Sequence, residues 1–287
     1  SRQRLHDAVY NEVSHIQIHN NEYLKNEETH LTVMNPDEIF SYIDTLKEVK
    51  SRVRRTKIIA MANTPWANTG LVLNGIEPER ERLVTEIYRE IVPRGGRYIE
   101  GDNPSDMLIS DKTAELLRLK HFVVTDSIIE ELRQEKVPES VLEKLGSLKD
   151  VRYRSPKDFN ENLKKVLTGK ESDLFGFLIN DKALDYRIRN RVQVTISDRD
   201  GNPIQGIFRV CGIYKTTNTG FDQSAAFVNA GELARLYGSD EILAHEVAVL
   251  LNDIDDAGRV KEILIPLAGD NSVRTWKELA PDAALMN

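Results

Sequence analysis

A strand–helix–strand pattern stands at both ends of the chain, and this repetition constrains the fold more than any other feature. Near the start, residues 14–19 (Ser-His-Ile-Gln-Ile-His) alternate polar and apolar, the period of a half-buried strand. Asn35, Pro36, Asp37 and Glu38 then supply an N-cap, a proline at the first helical position and acids in the first turn. Ile39, Phe40, Ile43 and Leu46 follow at helical spacing, predicting a helix over 36–49, and residues 52–62 return as a strand. Near the end, 245–251 is an apolar strand. Asp255 and Asp256 open a helix that carries Val260, Ile263, Leu264 and Leu267 on one face, Pro266 and Gly269 stop it, and 272–276 reads as a strand. Two such units can pair into one antiparallel or mixed sheet backed by two helices. The expected fold class is therefore α+β, with residues 1–62 and 241–287 forming one subdomain and 63–240 inserted between them.

The insertion has elements of its own. Residues 70–76 read as a strand. Pro78 opens a helix with Leu83, Val84, Ile87, Tyr88 and Ile91, and the turn Gly95-Gly96 precedes a short strand over 97–100. Three short helices are predicted over 126–135, 138–145 and 156–167, the last with Ser155 as N-cap and Gly169 beyond its end. Asp-Gly at 200–201 marks a hairpin between strands 192–197 and 204–214. A strand at 225–228 leads into a helix capped by Asn229, with Glu232 placed for a capping box and Gly238 after its end.

Composition excludes several classes. The chain has 287 residues, 40% of them hydrophobic, enough for sizeable cores. A net charge of -7 argues against nucleic-acid binding, which needs a concentrated basic face. The basic run Arg52, Arg54, Arg55 and Lys57 reads as a solvated strand face. No window approaches the ~20 apolar residues of a membrane span. The polar start at Ser1 and the abrupt end suggest a piece of a longer chain. The single cysteine, Cys211, rules out an internal disulfide and reads as a buried strand residue.

Candidate chemistry is sparse. His15 and His19 share one strand face, but no further ligands complete a metal shell, so a solvated face is expected. Gly95, Gly96 and Arg97 lack the spacing of a phosphate loop and read as a turn. Asp198, Asp200 and Asn202 resemble part of a calcium loop without its closing Glu, so a hairpin turn is expected. No nucleophile elbow or paired acids stand out. Catalytic, metal-binding and cofactor-binding residues are accordingly expected to be none, and the protein is read as not an enzyme. Trp66, after Asn63-Thr64-Pro65, is either a core plug or an exposed partner contact. Trp276 is either packed or an anchor near a membrane.

Several stretches, in chain order, resemble the periplasmic core domain (MacB-like) of ABC-transporter permeases of the macrolide-exporter, lipoprotein-releasing (Lol) and FtsX-like superfamily. Residues 14–19 resemble its early strand "SGHIQIH". Residues 75–81, Gly-Ile-Glu-Pro-Glu-Arg-Glu, resemble its "GIDPE.E" junction. Residues 106–119 resemble "ILIGEKLAEKLGL", 208–214 resemble "F.V.GIY" with Phe221 and Asp222 close behind, and 274–282 resemble "SWKELNPEL". Two departures stand out: Ser110 replaces the usual Gly, and about 70 extra residues, roughly 120–189, interrupt the pattern.

The resemblance implies a non-catalytic extracytoplasmic domain of an inner-membrane permease. Its partners would be its own transmembrane helices, a cytoplasmic ATPase subunit or domain, a second permease copy, and a periplasmic protein or lipoprotein. It implies a membrane-proximal "porter" built from 1–62 and 241–287 and a "sabre" formed by 63–240, coupling ATP hydrolysis to events in the periplasm. The competing readings are a soluble periplasmic binding or adaptor protein, and an enzyme whose site lies in the insertion.

Overall fold

The computed structural model describes residues 2–285. Its strands are β1 (Ile16–Asn20), β2 (Val49–Asn63), β3 (Asn68–Ile76), β4 (Ile91–Gly96), β5 (Asp106–Ser110), β6 (Lys120–Phe122), β7 (Leu184–Tyr186), β8 (Arg191–Ser197), β9 (Pro203–Tyr214), β10 (Ala225–Asn229), β11 (Glu246–Leu251) and β12 (Asn271–Thr275). Together with the helices they make an α+β fold. The chain divides into two compact units, one comprising residues up to Thr113 and from Ile188 on, the other Ala114–Arg187.

In the first unit the two end segments interleave. The strand order is β12–β1–β11–β2, every neighbour antiparallel, with Ile16 opposite both Val249 and Thr275, and Ala248 opposite Val53. This is the ferredoxin-like split βαβ arrangement, in which each unit's two strands are separated by a strand of the other. The helices Pro36–Ile43 and Ala257–Ala268 cover one face. Ile39, Phe40, Ile43, Val260 and Leu264 meet Ile16, Ile18, Val247 and Val249 there in a single core. Each such buried side chain contributes roughly 1.5–3 kcal/mol of apolar burial. The opposite face is buried as well, by a π-helical segment Ala8–Val13 and by residues around Val84. The first strand is thus buried on both faces, not half-buried. The first helix, Arg2–Asp7, and the short helix Pro281–Ala284 pack beside each other, so both ends of the described chain reach one region. Ser1 and Asn287 themselves lie outside the described residues.

β2 runs for 15 residues and serves two assemblies. Its first half pairs with β11, and its second half pairs with β3 and β8. From there the hydrogen bonds run β2–β3–β10–β5–β9–β8 and return to β2, a closed circuit of six strands, with β4 added on β9. Closure removes sheet edges that would otherwise be open. Ile58, Ala60, Ala62, Leu73, Val194, Phe208 and Val228 are buried in these strands. The helix Ala230–Tyr237 packs against the circuit at two glycines: a Cβ on Gly75 would lie 3.0 Å from Leu233, and one on Gly206 would lie 2.8 Å from Leu236.

The second unit is mainly helical. β6 and β7 pair antiparallel, with His121 opposite Asp185. Helices Asp126–Gln134, Glu139–Leu145, Pro156–Val166 and Gly169–Ala183 surround a core of Phe122, Leu132, Leu145, Phe159, Leu163 and Ile179. The Phe122 and Phe159 rings stack at 5.4 Å. Thr125 and Ser155 cap their helices by accepting from Ile128 N and Asp158 N. The fourth helix is not among those predicted: Gly169 opens it, and Thr168 and Glu171 form its capping box.

Four element boundaries depart from the sequence-based expectation. The helix expected over 36–49 stops at Ile43, and Asn35 makes no side-chain cap. Strand pairing begins at Val49, opposite Leu251, so the chain must turn before then. The helix expected from Pro78 through Ile91 ends at Glu81: Leu83 N and Val84 N donate only three residues back, to Arg80 O and Glu81 O, and Glu86 N donates to Tyr10 O instead of continuing the helix. The short strand lies at Ile91–Gly96, not at 97–100. Pro266 sits inside its helix without ending it. Pro266 and Glu262, whose carbonyl loses its partner, are both exposed, so water can take the bond.

Candidate functional site

The most polar buried constellation lies where the end segments meet the 78–85 stretch. Arg55, on β2, is 3% exposed. Its Nη1 donates to Glu246 Oε2 at 2.8 Å and to the backbone oxygen of Glu12 at 3.0 Å. Its Nη2 and Nε donate to Glu81 Oε1 at 2.8 and 3.0 Å. Glu246 begins β11, and its Oε1 receives His19 Nε2 at 3.0 Å and lies 3.4 Å from Lys57 Nζ. Thr85 Oγ1 donates to Glu81 Oε1 at 3.0 Å. The Tyr23 ring stacks between His19 and His245, at 5.7 and 5.6 Å.

The electrostatics follow from burial and pairing. Burial alone would raise the Glu246 carboxyl. Lys57, His19 and Arg55 outweigh it and hold the group well below the usual carboxylate range. Burial would lower Arg55, but Glu81 and Glu246 keep it above its ordinary value. Glu12, with Asn218 Nδ2 donating to it at 2.9 Å, is pushed up mainly by burial. Burial also lowers His245, which bonds the backbone oxygen of Thr29 at 2.7 Å. Beside Glu12, a cavity of about 440 Å³ opens among Arg4, Ala8, Asn218, Leu279 and Pro281, next to the helices at the chain ends.

This cluster overturns two sequence-based expectations. Arg55 is not on a solvated face, although Arg54 and Arg52 do reach Glu77 and Asp44 at part-exposed positions. His15 and His19 are buried, because both faces of the first sheet are covered. They serve different partners: His15 Nδ1 accepts from Leu251 N at 3.0 Å, whereas His19 bonds Glu246. Glu81 and Glu246 were not singled out from the sequence. The available signal was Arg55 falling on the same side of the strand as Val53.

The other candidates are placed as follows. Cys211 is buried in β9, and burial pushes its thiol up to about 12. Asp198 Oδ1 accepts from the N–H groups of Asp200 and Asn202, both at 2.9 Å, which closes the β8–β9 turn. Gly95 and Gly96 end β4, and Arg97 N donates to Cys211 O at 2.9 Å. Trp66 is 36% exposed, which excludes the core-plug reading, while Trp276 is 3% exposed and packs in the first core. Among the described residues no three His, Cys, Asp or Glu side chains group as a metal site, and no helix is long and apolar enough to cross a membrane.

No family model and no curated protein matches the sequence. Among solved structures, the chain is similar to the extracellular domain of the noncanonic ABC-type transporter YknZ from Gram-positive bacteria. The identity is 14%, the match covers 90% of this chain and 98% of that one, and the TM-score is 0.45. It is also similar to the periplasmic region of MacB from Actinobacillus actinomycetemcomitans, at 9% identity, 99% coverage of each chain and a TM-score of 0.46.

Proposed function

We propose that the protein is the extracytoplasmic domain of an ABC-transporter permease, and that it is non-catalytic. The observation that carries this reading is the pairing of β1 with β12, Ile16 opposite Thr275, beside the packed helices Arg2–Asp7 and Pro281–Ala284. A domain hung between two membrane helices needs its entry and exit side by side. The order of the resembling segments supports the same reading, and two of them supply His19 and Glu81 to the charge cluster.

In this proposal the interleaved end segments, 1–62 and 241–287, are the membrane-proximal porter, and 63–240 is the sabre that reaches outward. The partners are the permease's own membrane helices, a cytoplasmic ATPase and a second permease copy. The cargo side faces a periplasmic protein or lipoprotein. The Arg55–Glu246–Glu81 cluster ties β2, β11 and the 78–85 stretch together, so a shift imposed at the base passes up β2 as a rigid-body movement.

The test is membrane topology of the full-length gene product. Intact cells or spheroplasts are treated with protease, and membrane fractions are probed for this domain. Cleavage from outside, in a membrane-bound polypeptide that co-purifies with an ATPase, is the expected result. Recovery as a free periplasmic protein would support the adaptor reading instead, and recovery in the cytosol would overturn both.

A further inference from the structure

A second cavity, of about 330 Å³, lies between the loop before β5 and the strand β9, and it has no part in the reading above. Arg97, Asn103, Ser105, Asp106, Arg189 and Arg209 line it. Its only acid, Asp106, is already neutralised. Arg97 Nη1 and Nη2 donate to Asp106 at 2.5 and 3.0 Å, and Glu100 N donates to it at 3.0 Å. The nearby Glu100 carboxylate lies 3.4 Å from Arg97 Nε.

Arg189 and Arg209 are different. Neither has an ion-pair partner among the described residues, and the one hydrogen bond from the Arg209 guanidinium is a 3.5 Å contact to the backbone oxygen of Arg189. Elsewhere Arg55, Arg133 and Arg259 each meet two carboxylates. The backbone brings the unanswered charges together. Arg209 N donates to Ser105 O and Arg189 N to Val210 O, both at 2.7 Å. Arg191 stands directly opposite Arg209 in the β8–β9 pairing, a like-charge placement that destabilises a sheet. Arg189 holds a left-handed backbone with φ of 70°, uncommon for a side chain of its size. Ser105 Oγ donates to Asn103 Oδ1 at 3.0 Å, leaving the Asn103 amide nitrogen as a further donor.

We propose that this cavity is a phosphate site, in which an anionic phosphate group takes forked hydrogen bonds from Arg189 and Arg209 while Arg97 stays on Asp106. Guanidinium forks match the oxygens of phosphate in pairs. The missing counter-charge of two adjacent arginines, in a chain of net charge -7, is the ligand. The phosphate is either free or carried on the headgroup of an anionic phospholipid.

The experiment is calorimetric titration of the 287-residue chain with inorganic phosphate, with flotation on phosphatidylglycerol and phosphatidylcholine vesicles in parallel. Saturable phosphate binding with a Kd of about 1 mM or tighter is expected. It should weaken at least about tenfold in Arg209→Gln and in Arg189→Asn, each losing a charge-assisted bond. Arg235→Gln, at an exposed position of the helix Ala230–Tyr237, should bind as the parent does. Flotation with phosphatidylglycerol vesicles that inorganic phosphate competes away assigns the lipid source; phosphate binding without flotation assigns the free anion. Both arginines are exposed and neither substitution removes an ion pair, so the variants should melt no lower than the parent. Absence of saturable phosphate binding, or equal binding by the well-folded variants, overturns the proposal.

Discussion

Arg55 Nη1 and Glu246 Oε2 lie 2.8 Å apart across 191 residues of sequence, and this bond joins the two chain-end segments through charge as well as through the β2–β11 ladder. Buried pairs of this kind contribute little net stability when intact, but removing one partner strands the other. Arg55→Met leaves Glu81 and Glu246 facing each other's environment without their shared cation. It should cost about 3–5 kcal/mol in urea denaturation. A loss below about 1 kcal/mol would mean that the cluster carries no such constraint.

Acid should destabilise the protein through His15. Burial holds its folded value at about 4, against an ordinary value of 6.5. Because the folded value is the lower one, this group's contribution is complete above pH 6.5 and is lost as pH falls toward about 4. Burial lowers His245 too, in the same direction, so part of the loss will persist without His15. His15→Asn, which retains an acceptor for Leu251 N, should flatten the fall of the urea midpoint between pH 6.5 and 4 relative to the parent. An unchanged slope would count against a neutral buried imidazole.

The two tryptophans should report separately. Trp276 packs among Val9, Val13 and Ile16 in the first core, with Lys277 Nζ 5.6 Å from its ring. Trp66 stands in the β2–β3 connection at 36% exposure. In Trp276→Phe the remaining emission should be red-shifted and strongly quenched by acrylamide. In Trp66→Phe it should be blue-shifted and protected. Equal quenching of the two variants would contradict these placements.

Gly96 should not tolerate a side chain. Its φ is 79°, and a Cβ there would lie 2.2 Å from the carbonyl oxygen of Cys211. The left-handed backbone alone costs a non-glycine residue about 1–3 kcal/mol, and the clash is with backbone that cannot rotate away. Gly96→Ala should therefore lower the melting temperature by several degrees and detach β4 from β9, which hydrogen exchange of Gly212 and Tyr214 would detect. Gly101→Ala, with open space around its Cβ, is the control and should melt as the parent does.

What the sequence showed well were elements whose signals are local. Ser155 with Pro156 marks a helix start, and Asp200 with Gly201 marks a hairpin, because caps and turns are settled within four residues. What it hid depended on distant partners. Glu86 N leaves the helical path for Tyr10 O, and Arg55 is buried against Glu246. The switch in β2 from Val53 and Arg55 inward to Ile58, Ala60 and Ala62 inward reflects two assemblies that no local period encodes. The helix Gly169–Ala183 is hidden in the sequence because its Thr168–Glu171 box encloses Gly169, which reads as a stop signal, and because exposed Leu174 and Phe177 blur its apolar face.

The place of β11 between β1 and β2 carries a consequence for biosynthesis. The first strand and the front of the second share no hydrogen bonds with each other; both wait for Glu246 and its neighbours, made 183 residues after Asn63. At about 5–20 residues per second the ribosome needs roughly 10–40 s for that stretch. Through that interval the emerging polypeptide holds an incomplete sheet with apolar faces uncovered, a natural client for a holding chaperone.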